Sequence, residues 1–117
     1  MTNASGRVKF ARIWRGRAVK AKADEYQRYL LQNGSAPLEA KGALGVQMLR
    51  EDRETETEFV TISYWESVEA MTGGSGADPR QAHHLERDAE FLIELPRSVQ
   101  ILTILDMRGA GAGRKPL

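Results

Sequence analysis

The sequence predicts an α+β domain in which a four-stranded antiparallel sheet carries helices on one face. Three observations lead there. Residues 8–15 and 58–65 alternate their side chains with the two-residue period of strands, and residues 21–33 place apolar side chains at helical spacing; residues 60–71 run a strand through Trp65 directly into a helical turn headed by Ser67. At 117 residues the chain is one domain with one core. Its structured part is expected over 7–108, because 1–6 and 109–117 lack periodicity and are rich in small residues, as flexible tails are.

The elements follow in order. In the first strand Val8, Phe10, Arg12 and Trp14 face away from Ala11, Ile13 and Arg15, and Gly16 is expected to end it. Ala23, Tyr26, Tyr29 and Leu30 form the apolar stripe of the first helix, with Asp24 and Arg28 as an i,i+4 pair and Gly34 as its stop. Residues 35–38 read as a loop. Residues 42–50 and 58–65 then pair across a hairpin whose tip, from Glu51 to Glu58, holds five acids and one arginine. In the later strand Thr61, Ser63 and Trp65 point to one side and Val60, Ile62 and Tyr64 to the other, and Ser67 is an N-cap for the turn that follows. Residues 72–79, with three glycines and a proline, read as the most mobile internal segment. Short helices over 80–84 and 88–94, closed by Pro96, and a strand over 98–106 complete the order β-α-β-β-α-β, the ferredoxin-like arrangement.

An antiparallel sheet with helices on one face is normally polar on the other. Here Leu44, Val46 and Met48 oppose Leu49, while Phe59 and Trp65 oppose Val60, Ile62 and Tyr64. Apolar residues on both faces of so short a chain call for a partner, and a two-fold homodimer is the expected one.

Composition narrows the function classes. Hydrophobic residues make up 41% of the chain and charged residues 28%, the balance of a globular protein. No apolar run approaches the ~18 residues of a membrane span, and the N-terminus lacks the layout of a signal peptide, so no membrane partner and a cytoplasmic location are expected. The absence of cysteine excludes disulfides and thiolate metal sites. Seven basic residues precede the first acid, Asp24. Strand alternation splits them between two faces and no aromatic platforms interleave with them, so nucleic acid is not an expected partner.

Residues 11–16, the helix start at 22–26, residues 45–50, and residues 63–67 with Glu69 and Ala70 together resemble the antibiotic biosynthesis monooxygenase family over about residues 8–106. The resemblance implies a dimeric α/β barrel. It implies one of several activities as well, since the family includes cofactor-free oxygenases of polycyclic phenols or quinols, haem-degrading enzymes and members without assigned activity. In the haem-degrading members a histidine follows the strand-to-helix junction, and His84 matches it by spacing. Their helical tryptophan and first-strand asparagine have no counterpart, because this chain carries Gly73 and Gly74, and Arg12 to Trp14, at those places. Haem binding is therefore the least favoured reading.

The candidate site residues follow from side-chain chemistry. His83 and His84 are the only histidines and come just after the glycine-rich segment; imidazole moves protons near neutrality. Side by side on a helix they would splay about 100° apart, and no zinc-ligand spacing accompanies them, so no metal is expected. Arg12 beside Trp14 is placed to hold a phenolate or carboxylate, and Trp14, Trp65, His83 and Tyr26 are candidates to contact a planar substrate. His84, Arg12 and Tyr64 are the candidate catalytic residues. Cofactor-free oxygenation asks for no more than a dry aromatic pocket, a proton acceptor and an anion stabiliser, because the deprotonated substrate supplies the electrons. The expected function is a cofactor-independent monooxygenase of a small aromatic or quinol; the competing reading is a small-molecule-binding or stress-related dimer without turnover.

Overall fold

The computed structural model describes residues 7–109. Four strands, β1 (Phe10–Val19), β2 (Gly45–Asp52), β3 (Glu56–Trp65) and β4 (Gln100–Thr103), form one antiparallel sheet in the order β2-β3-β1-β4. This is the ferredoxin-like arrangement, with α1 (Ala23–Asn33), α2 (Ala36–Lys41) and a single turn, α3 (Asp88–Phe91), as its helices. The expected tails, 1–6 and all of 109–117 but Gly109, lie outside the described residues.

β1 pairs with β3 along its whole length, from Phe10 opposite Trp65 to Val19 opposite Glu56, and with β4 at its start. Register and pleat put Arg12, Trp14, Gly16 and Ala18 on one face, beside Ser63, Thr61, Phe59 and Thr57 of β3. This face is covered by the helices. Trp14, Ala18, Phe59 and Trp65 are buried there together with Tyr26 and Leu30 of α1 and Phe91 of α3. Tyr26 meets Phe59 edge-on at 5.0 Å between ring centres and Phe91 at 5.4 Å, separations at which aromatic pairs attract beyond their buried area.

Several expectations need correction. Gly16 does not end β1; the strand continues to Val19, and a Cβ at position 16 would lie 2.4 Å from the indole of Trp14, so the glycine is the slot in which that ring lies. Residues 35–38 are not a loop throughout, because α2 begins at Ala36 with Pro37 in its first turn, where a fixed φ favours the helix. It ends at Gly42, whose φ of 107° is the left-handed cap. No helix forms over 80–84. Instead Ala82 N donates to Arg97 O and Val99 N to Arg80 O, a two-stranded stitch ahead of β4, which starts only at Gln100; α3 stops at Phe91, where Leu92 bridges to Ala18 and Ile93 N donates to Arg17 O.

Other expectations hold. α1 ends at Asn33 as the glycine after it predicts, and the Ser67 hydroxyl accepts the Ala70 N–H at 3.2 Å, capping the turn over Glu69–Thr72. The hairpin tip is shorter than the expected Glu51–Glu58, since β2 runs on to Asp52 and β3 begins at Glu56; its lone arginine, Arg53, gathers Glu51, Glu56 and Glu58 from the strand ends. Arg53 and Glu51 are exposed while Glu56 and Glu58 are half-buried, and pairs this close to solvent add little stability.

Replacing Gly16 by Ala tests the packing of Trp14. The added methyl overfills a closed layer, so a loss of about 1–3 kcal/mol is expected in urea unfolding, together with a shifted indole emission.

Candidate functional site

Between the helix-covered face of the sheet and the helices lies a cavity of about 130 Å³. Its floor comes from alternate positions of the two central strands, Arg12 and Trp14 of β1 and Thr61 and Ser63 of β3. Its walls come from Tyr26 and Leu30 of α1, Leu38 and Lys41 of α2, Met71, and the segment from His83 to Asp88. The floor residues reach it because a strand turns every second side chain to the same side.

Arg12 is 7% exposed. Its Nε donates to the carbonyl of Pro79 at 3.3 Å and its Nη2 to that of Gln81 at 2.9 Å, so the first strand holds the end of the glycine-rich segment in place. No carboxylate pairs with it among the described residues. Burial draws its pKa below the usual arginine value, although a guanidinium keeps its charge at any physiological pH.

Across the cavity Asp88 is 2% exposed. One carboxylate oxygen accepts the Tyr26 hydroxyl at 3.1 Å and the other the Leu85 N–H at 2.8 Å. Burial, and next the charge of Asp88, push the Tyr26 phenol far above its ordinary pKa, so Tyr26 is a fixed donor and not an acid. His83 and His84 both line the cavity from a segment that is not helical, so no helical splay separates them. Both histidines are exposed at the rim of the cavity; the slight desolvation of His83, then the nearby Lys41, Arg12 and His84, lower its pKa, which favours the neutral imidazole. Among the described residues no three His, Cys, Asp or Glu side chains cluster closely enough to hold a metal ion.

Of the sequence candidates, Arg12, Trp14, Tyr26, His83 and His84 meet at the cavity. Two do not. Tyr64 stands on the opposite face of the sheet, paired in register with Ala11 and Gly45, and its hydroxyl donates to Gln47 Oε1 at 2.9 Å. Trp65 lies on the helix side but is fully buried away from the cavity, its indole N–H donating to Ser63 Oγ at 2.8 Å. The causes differ: alternation along β3 sends Tyr64 to the opposite face, whereas Trp65, on the helix side at the end of the strand, packs into core. The sequence reading missed Asp88, Lys41, Thr61 and Ser63. A signal for two of them existed, since Thr61 and Ser63 are polar residues on a face otherwise built of Phe59 and Trp65.

Residues 10–85 match the family model described as antibiotic biosynthesis monooxygenase. The chain belongs to that family. Among curated protein sequences there is no significant match. Among solved structures, a candidate antibiotic biosynthesis monooxygenase from Bacillus cereus shares the fold, with a TM-score of 0.59 at 15% identity over 88% of this chain and 99% of that one. The segment matched to the antibiotic biosynthesis monooxygenase model contains every cavity residue named above except Asp88.

The electrostatics of His83 are open to measurement. In an NMR titration its ring is expected to have a midpoint below the ordinary ~6.5 of histidine, and Lys41→Met is expected to raise it, because one of the opposing charges is gone. A midpoint at or above the ordinary value would contradict this electrostatic environment.

Proposed function

We propose that the chain is a monooxygenase that works without metal or organic cofactor on a small quinol held in this cavity. The observation that carries the reading is the conjunction, on one apolar cavity beside Trp14, of a buried guanidinium and an imidazole biased toward its neutral form. Membership of the antibiotic biosynthesis monooxygenase family supports it.

The histidine pair takes a proton from the quinol, and Arg12 stabilises the resulting anion. A ring carbon of that anion forms a C–O bond to dioxygen, and the peroxide takes the proton back. The O–O bond then breaks; the inner oxygen stays on carbon as a carbonyl, and the outer oxygen leaves as water with the hydrogen that the carbon carried. All four electrons that reduce dioxygen come from the substrate, two in forming the C–O bond and two from the C–H bond lost as the O–O bond breaks. Trp14, Leu30 and Met71 supply the apolar walls that keep bulk water from the anion.

The same reading joins two copies through the open face of the sheet. Ile13, Val60 and Ile62 are only half-buried there, and Leu49 and Leu102 are 42% and 43% exposed, an apolar patch of the kind that marks an interface.

Protein stripped of metal and flavin is expected to take up one dioxygen per dihydroxyaromatic oxidised. Arg12→Ala is expected to slow this by ~10²–10³, and loss of the histidine that accepts the proton by ~10² or more. Because His83 must be neutral to act, the rate falls as pH drops through its lowered pKa and not at the ordinary histidine value. Binding without oxygen uptake would leave a small-molecule-binding protein in place of an enzyme. For the dimer, light scattering is expected to give twice the chain mass at micromolar concentration and a monomer for Ile62→Arg; a monomeric parent protein would remove the interface.

A further inference from the structure

We infer that the cavity takes its substrate as an aromatic carboxylate, whose carboxylate group is held by Arg12 and Thr61. This rests on the reading of the cavity as the substrate site and adds the class of molecule that fits it.

The first observation is the unbalanced charge of Arg12. A buried cation is normally repaid by a carboxylate. Arg12 has only the carbonyls of Pro79 and Gln81, which occupy Nε and one Nη2 hydrogen; Nη1 and the other Nη2 hydrogen have no partner among the described residues. Asp88, the carboxylate that lines the same cavity, is already taken by Tyr26 and Leu85.

The second observation is independent of the first. Thr61 is 7% exposed, lines this cavity, and its Oγ1 is a buried side-chain polar atom without any hydrogen-bond partner. Buried hydroxyls are rarely left so. Thr61 lies opposite Trp14 and Arg12 opposite Ser63, so Arg12 and Thr61 are diagonal neighbours on adjacent strands, facing the same way. One bound group can therefore satisfy both. Lys41 adds a second positive charge at the wall.

The chemistry selects a carboxylate. A guanidinium is charged at every working pH, and a carboxylate, with a pKa near ~4, matches it over that whole range, whereas a phenol near ~10 is neutral until it is deprotonated. A carboxylate accepts parallel N–H bonds from Nη1 and Nη2 and still has lone pairs for the Thr61 hydroxyl, and the second Nη1 hydrogen is left for the quinol oxygen that Arg12 stabilises as an anion. The remaining lining, with Trp14, Tyr26, Leu30, Leu38 and Met71, suits the ring of such a molecule rather than a free inorganic anion.

The test measures binding to the full chain in the absence of dioxygen, with a dihydroxybenzoate, the matching dihydroxybenzamide, the unsubstituted quinol and sulfate. The carboxylate is expected to bind at least ~10-fold more tightly than the amide or the quinol, the difference made by charge-assisted bonds. Arg12 also holds the loop, so its variants alone would not isolate the contact. Thr61→Val does, since it keeps the shape and removes an unpaired hydroxyl: its unfolding midpoint is expected to stay level or rise, its affinity for the carboxylate to fall ~3–10-fold, and its preference for the acid over the unsubstituted quinol to narrow. Equal binding of acid and amide, sulfate competing as well as the aromatic acid, or unchanged carboxylate affinity in Thr61→Val would each overturn the inference. Oxygen uptake with no preference for the acid would sink this inference and spare the oxygenase; selective binding of the acid without oxygen uptake would do the reverse.

Discussion

The two-residue period of β1 is the constraint on which the rest of the molecule depends. It commits Arg12, Trp14, Gly16 and Ala18 to the side covered by helices. Along that row the side chains shrink, and the space above them changes character in step. Over Gly16 and Ala18 the rings of Tyr26, Phe59 and Phe91 close the core; over Arg12 and Trp14 the layer stays open as a cavity. A shift of the strand by one residue would send this row to the outer face and put Ile13 and Arg15 in its place.

Charge is distributed across the cavity in a way that depends on hydrogen bonds as much as on distance. Asp88 and Arg12 both border it, yet each is anchored by other groups, the carboxylate by a phenol and an amide N–H, the guanidinium by two carbonyls. Each therefore keeps a fixed direction. His83, by contrast, stands exposed at the rim, where slight desolvation and then its positive neighbours favour the neutral imidazole.

What the sequence made legible was periodicity. The strands, the first helix and the ferredoxin-like succession of elements followed from spacing; Arg12, Trp14, Tyr26 and the histidines were singled out by side-chain chemistry, and only the fold shows that they meet. Where one residue type serves two purposes, reading by type failed: Gly16 looked like a strand end and is a space for an indole, and Pro37 looked like a loop residue and opens a helix. Tyr64 was a different case, since the alternation that put Thr61 on the inner face already excluded its neighbour three positions on. Asp88 carried no local signal at all. Its role comes from Tyr26, 62 positions earlier in the chain, and only folding brings the two together.

The double engagement of Arg12 has a consequence for how such a scaffold can diversify. The group that borders the cavity also fastens the chain at Pro79 and Gln81. A change at position 12 therefore alters the lining of the cavity and the anchorage of the loop together, and few substitutions satisfy both. Positions 41 and 61 carry no such second duty among the described hydrogen bonds, and it is there that selectivity can drift while the frame stays intact.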